Sequence, residues 1–153
     1  MRLSTKARYA VRAMVDLAIY SNGRPVTLKE IAGREEIPLS YLEQLFFRLK
    51  CVRLVESVRG PGGGYLLARD GSEITVGEII AGVEEQLNPV ACLDSGAAEC
   101  SRMPACVTYS VWKGLGERIH SFLDSIRLAD LAADARQRME AGADRLGSET
   151  SAS

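Results

Sequence analysis

Apolar residues recur at steps of three and four from Ala7 through Ala10, Val11, Met14 and Val15 to Ala18, which predicts an amphipathic helix. Ser4 stands where its N-cap belongs, and Asn22-Gly23 followed by Pro25 ends it. Lys6, Arg8 and Arg12 fall on its polar face. The stretch T-L-K-E-I-A-G-R-E-E-I-P opens a second helix with Thr27 and Glu30 at capping-box spacing, and Pro38 forbids its continuation. S-Y-L-E-Q-L-F-F-R-L-K repeats the device with Ser40 and Glu43, and Leu42, Leu45, Phe46 and Leu49 make its buried stripe. Short helices joined by about four residues form a helix-turn-helix candidate.

The period then changes. V-R-L-V-E-S-V, R-G-P-G-G-G and Y-L-L-A read as strand, tight turn and strand, a hairpin placed as the wing of a winged helix. Thr75 and Glu78 predict a third capping box at the head of T-V-G-E-I-I-A-G-V-E. Beyond Val107, residues Val111, Leu115, Ile119, Phe122 and Ile126 form a stripe that Trp112 and Leu123 widen. That face exceeds what one small domain needs and predicts a dimerisation helix packing on its own copy, with folding back onto the winged helix as the alternative. From Gly142 the chain turns small and polar and is expected to fray into a disordered tail.

The expected fold is mainly α with a small β-hairpin: a winged helix-turn-helix plus a long dimerisation helix. Residues 1–86 make the winged-helix domain, 87–106 a cysteine-rich loop, 107–131 the dimerisation helix and 132–153 a C-terminal extension.

Charge sharpens this picture. Residues 1–60 carry eleven Lys/Arg against six Asp/Glu, whereas residues 61–153 carry eight against fourteen. Only the first part is therefore expected to meet a polyanion, double-stranded DNA. No apolar run is long enough to span a membrane, and no secretory stretch opens the chain, so a cytoplasmic protein with reduced thiols is expected. A single histidine, with no Ser/His/Asp arrangement and no nucleotide-binding glycine motif, argues against an enzyme.

A recognition helix offers its N-terminal residues to the major groove, here Ser40, Tyr41, Glu43 and Gln44. Gln44 suits adenine and Glu43 suits cytosine, although Glu43 has a competing role in the capping box. Arg59, with Gly60 beside it at the wing tip, suits the minor groove. Arg8, Arg12, Lys29, Arg48, Lys50 and Arg53 are candidate phosphate contacts. Cys51, between recognition helix and wing, reads as a small buried residue, with a redox role as the alternative.

The remaining cysteines are spaced Cys92-x7-Cys100-x5-Cys106. This is not the C-x2-C of zinc ribbons, and the small residues at 94–98 can wrap something larger than one ion. An iron–sulfur cluster ranks first, zinc second, and redox-switching thiols without metal third.

M-R-L-S-T-K-A-R-Y-A, S-Y-L-E-Q-L-F, R-G-P-G-G-G-Y-L-L, V-G-E-I-I and the three spaced cysteines ahead of a long helix resemble the IscR family of iron–sulfur-cluster-sensing regulators, with winged-helix relatives such as NsrR and RsrR. The resemblance runs from residue 1 to about residue 131. It implies a homodimer that binds a [2Fe–2S] cluster through Cys92, Cys100 and Cys106, with [4Fe–4S] ranking behind. It also implies DNA reading by the Ser40–Gln44 segment and Arg59, and control of cluster-assembly or oxidative-stress genes. A nitric-oxide or redox sensor of the same fold, and a cluster carrier that does not bind DNA, are the alternatives.

The chain departs from the family in two places. The first cysteine interval is seven residues where five is typical, and Tyr109 stands where a histidine follows the third cysteine by three. His120 lies fourteen residues past Cys106, about 21 Å along a straight helix, too far to share a cluster within one chain. Other relatives draw a ligand from positions matching residues 8 or 12 of the partner's first helix. Here both are arginine, which cannot coordinate. Tyr109 is the candidate fourth ligand, with Asp94, Glu99, water or a small thiol as the other choices.

Overall fold

The computed structural model describes residues 2–83, 87–94 and 106–151, with side chains to residue 143. Helix α1 (Thr5–Tyr20) starts under a hydrogen bond from the Ala7 N–H to Ser4 Oγ, as the sequence predicts. Helix α2 (Leu28–Glu35) carries the complete Thr27–Glu30 capping box and ends at Glu36 in a left-handed conformation. Helix α3 (Leu39–Cys51) follows, then the hairpin of β1 (Val55–Val58) and β2 (Gly64–Leu67). Its register pairs Val55 with Leu67 and Val58 with Gly64. Helices α4 (Val76–Val83), α5 (Tyr109–Ser125) and α6 (Leu128–Ser151) follow, with short 3-10 turns at Gly71–Glu73 and Ala91–Leu93.

The main core is the one the periodicity implies: Met14 and Leu17 of α1, Ile31 of α2, and Leu42, Leu45, Phe46 and Leu49 of α3 are all essentially buried. Tyr65 of β2 meets Phe46 edge-on at 5.0 Å, which ties the wing to the helices. Tyr65 also exchanges backbone hydrogen bonds with Val26, at 2.7 and 2.9 Å. A Cβ on Gly64 would lie 2.5 Å from the Val26 carbonyl oxygen, so only glycine lets the wing approach so closely. Buried Asp16 accepts two hydrogen bonds from Arg34, at 2.9 and 2.7 Å. These bonds and the Asp16 charge hold the Arg34 pKa above its ordinary value, and the guanidinium lies over Tyr20.

A second cluster, Ala7, Val76, Ile80 and Leu87 with Ile119, Leu123 and Ile126 against it, joins α5 to α1 and α4. Leu128 and Ala132 seat α6 beside α1, where Arg136 donates to the carbonyls of Ala18 and Ile19 at the end of that helix.

Four expectations need correction. Ser40 does not cap α3: the helix begins one residue earlier, Pro38 is its N-cap, and the Pro38 carbonyl accepts from the N–H groups of Tyr41 and Leu42. Proline's fixed φ directs the chain into the helix without a side-chain cap, which leaves Glu43 exposed and out of any capping box. Cys51 is exposed, because it ends α3 on the face opposite Leu49. The helix read over 107–131 is two helices. Ile126 is extended so that its carbonyl accepts from the Val76 N–H at 2.9 Å and the Leu128 N–H reaches Ile74 O at 2.8 Å. Finally, the stretch read as a fraying tail is helical to Ser151, as the end of α6.

The Thr75–Glu78 capping box is complete, with Thr75 N–H to Glu78 Oε2 at 2.9 Å and Glu78 N–H to Thr75 Oγ1 at 3.1 Å. Partial burial pushes the Glu78 pKa up, but the Thr75 N–H and the Arg69 guanidinium outweigh it and hold the group below the ordinary 4.5. A depressed carboxylate pKa contributes stability above the unfolded value and loses it as pH falls through the folded value. Glu78→Gln is therefore expected to cost about 0.5 kcal/mol at pH 7 after solvent screening. The difference should vanish at a pH well below 4.5, as read by urea midpoints across that range.

Candidate nucleic-acid interface and thiolate site

The buried stripe of α3 fixes what its opposite face presents. With Leu42, Leu45, Phe46 and Leu49 turned inward, Ser40, Glu43 and Gln44 are brought together on the exposed side. Tyr41 is only half exposed and meets Tyr9 of α1 edge-on, 5.5 Å between centroids, so much of its ring packs against α1. Arg59 and Gly60 are exposed at the hairpin tip. Lys50 reaches from α3 to Ser57 of β1 with a 2.7 Å bond, beside a groove that Arg53 and Arg69 also line. Arg8 is exposed on α1. Two more of the basic candidates are, like Lys50, engaged within the chain: Arg12 donates to the Glu35 carboxylate and carbonyl, and Arg48 donates to the Val83 carbonyl at 2.9 Å.

Cys92 lies in a short turn, Ala91–Leu93, and Cys106 two residues before Thr108, the N-cap of α5. Both thiols are half-buried, and Cys106 Sγ is 3.4 Å from Thr108 Oγ1. Tyr109, half-buried, donates its N–H to the Cys106 carbonyl at 3.4 Å, so the residue proposed as fourth ligand stands in the first turn of α5. Anionic groups are favoured at such a helix start. Cys100 and Glu99 lie outside the described residues. Among the described residues, no three His, Cys, Asp or Glu side chains converge as a metal group.

The sequence gives little sign of how the loop is held. Asn88 donates through Nδ2 to the Leu93 carbonyl at 3.2 Å and to Asp94 Oδ1 at 2.9 Å, while its Oδ1 faces His120 Nε2 at 3.5 Å. The Cys92 end of the loop thus folds back toward the middle of α5. The distance argument against His120 holds for Cys106 and does not apply to this end. The Asn88-Pro89 pair is a turn signal that periodicity alone passes over. Contact is close because residue 116 is glycine: a Cβ there would meet Pro89 Cδ at 3.3 Å, Leu93 Cδ1 at 3.7 Å and Asn88 Oδ1 at 3.8 Å. Gly116→Val should therefore displace the Pro89–Leu93 turn and speed its amide exchange by about tenfold or more, with exchange in the α1–α3 core unchanged.

On its other side α5 leaves apolar surface in water. Val111 is 57% exposed, Leu115 43% and Phe122 63%, with Val107 at 91% just before the helix. Ile119, Leu123 and Ile126 pack inward, so the wide stripe serves two surfaces, one of them already covered.

Residues 3–134 match the Rrf2 family, described as iron-dependent transcriptional regulators. The chain belongs to the Rrf2 family. The match spans the winged helix, the cysteine loop, α5 and the start of α6, and the chain is a DNA-binding transcription regulator rather than an enzyme. The HTH-type transcriptional regulator IscR of Serratia proteamaculans is 51% identical over 131 residues, which cover 86% of this chain and 79% of that protein. IscR of Yersinia enterocolitica shows the same identity and coverage. Among solved structures, T. potens IscR superposes with a TM-score of 0.72 at 42% identity, covering 88% of each chain. CymR, the global cysteine regulator of B. subtilis, gives 0.69 at 34% identity over 87% of this chain and 97% of that one. The resemblance read from the motifs is borne out, as is the winged-helix fold. Among the described residues, no helix is long and apolar enough to cross a membrane.

Proposed function

We propose that this Rrf2-family chain is a homodimeric regulator whose choice of operators is set by a [2Fe–2S] cluster on Cys92, Cys100 and Cys106, with Tyr109 as fourth ligand. The donor chemistry fits: thiolates suit iron–sulfur clusters, and the two described thiols bracket residues 95–105. When bound, the cluster supplies a redox- and oxygen-sensitive centre. The observation that carries the reading is the seating of the Cys92 end of the loop on α5 through Asn88 and Gly116. Cluster binding at the Cys92 end can therefore bear on α5, whose exposed face is the proposed contact with the second copy. In a dimer a small rotation at that contact changes the distance between two recognition helices, and half-site spacing is a geometric requirement. Ser40, Tyr41, Glu43 and Gln44 read the major groove in this account, Arg59 and Gly60 enter the minor groove, and Arg8 and Lys50 meet phosphate. The controlled genes are those of cluster assembly or oxidative stress.

The test is the iron and sulfide content and visible spectrum of anaerobically purified protein beside Tyr109→Phe. About two iron and two sulfide per chain are expected, with the bands shifted or lost in the variant. Colourless protein carrying zinc would overturn the cluster, and an unchanged variant spectrum would overturn Tyr109.

A further inference from the structure

Phe47 is 68% exposed, although its neighbour Phe46 is fully buried. Each helical residue advances about 100°, so Phe47 falls between Glu43 and Gln44 in angular position, one turn further along the same face of α3. Ser40 lies behind it and exposed Cys51 ahead. Phe47 belongs to neither buried cluster, and the inner face of α5 packs on α1 and α4 through Ile119, Leu123 and Ile126. A phenyl group in the middle of a polar face is left in water by the isolated chain, and covering it is favourable.

The major groove presents donors and acceptors at every base pair, but one apolar group only, the C5-methyl of thymine. We propose that Phe47 is a specificity-determining residue that packs on a thymine methyl one step beyond the bases read by Glu43 and Gln44. This rests on the reading that α3 enters the major groove. It adds a preference that hydrogen-bond matching of Ser40, Glu43 and Gln44 would not give.

The experiment selects binding sites from random double-stranded DNA with the full-length chain, then replaces each thymine of the selected site by deoxyuridine, which removes the methyl alone. Fluorescence anisotropy is expected to show about fourfold weaker binding for one thymine per half-site, the loss of one buried methyl. Phe47→Ala should bind thymine and deoxyuridine equally there, and Phe47→Leu, which keeps an apolar contact, should retain part of the difference. Because the ring is exposed, both variants should melt with wild type. If deoxyuridine costs nothing at any position, or costs Phe47→Ala as much as wild type, the proposal is overturned. Gln44→Ala separates this failure from that of the underlying reading. If it leaves the selected sequence unchanged, α3 is not the reading helix.

Discussion

Cys92→Ser is expected to give a folded chain that holds no stable iron and binds a single, cluster-independent set of operators. Cys92 sits in a short turn outside both buried clusters, so the substitution should change stability by less than about 0.5 kcal/mol. Serine keeps the size of the side chain but lacks the thiolate that iron–sulfur clusters take as ligand. The Asn88 bonds to Leu93 and Asp94 do not involve the cysteine side chain, so the turn should remain seated on α5. Thermal melting, iron analysis and footprinting on one preparation check all three parts. A variant that kept full iron would remove Cys92 from the ligand set.

Leu115→Asp is expected to produce a monomer whose affinity for a two-half-site operator falls on the order of 100-fold, because the linked second binding event is lost. Leu115 is 43% exposed between Val111 and Phe122, so a carboxylate costs the single chain little. At the centre of an apolar contact between two copies it would be desolvated and unpaired, which is strongly unfavourable. Sedimentation and anisotropy read the two consequences. An Asp variant that stayed dimeric would place the interface elsewhere.

The chain's own code was clearest where local chemistry and burial agree. Ser4, Thr27 with Glu30, and Thr75 with Glu78 all cap as their spacing predicts, and the stripe of α3 is buried residue for residue. Ser40 misled because its spacing to Glu43 matches the same motif, while Pro38 had already turned the chain into helix. The α5–α6 break was hidden because Ile126 continues the apolar stripe, although its backbone leaves the helix to bond Val76. Phe47 was passed over because it lies off the buried stripe. The role of Asn88 and Gly116 was not readable at all, since it depends on a non-local contact that no period encodes. Of the thiolate site, sequence placed the cysteines and set Cys106 just ahead of a helix, but only the fold relates the Cys92 turn to the middle of α5.

The central claim is that cluster occupancy decides which operators are bound. Its most direct test footprints the anaerobically purified protein and the same preparation stripped of iron on one set of promoter fragments, at one salt concentration. The account predicts at least one operator bound about tenfold more tightly by the cluster-loaded form, beside others bound equally by both. The same protection by both forms at every site would contradict it.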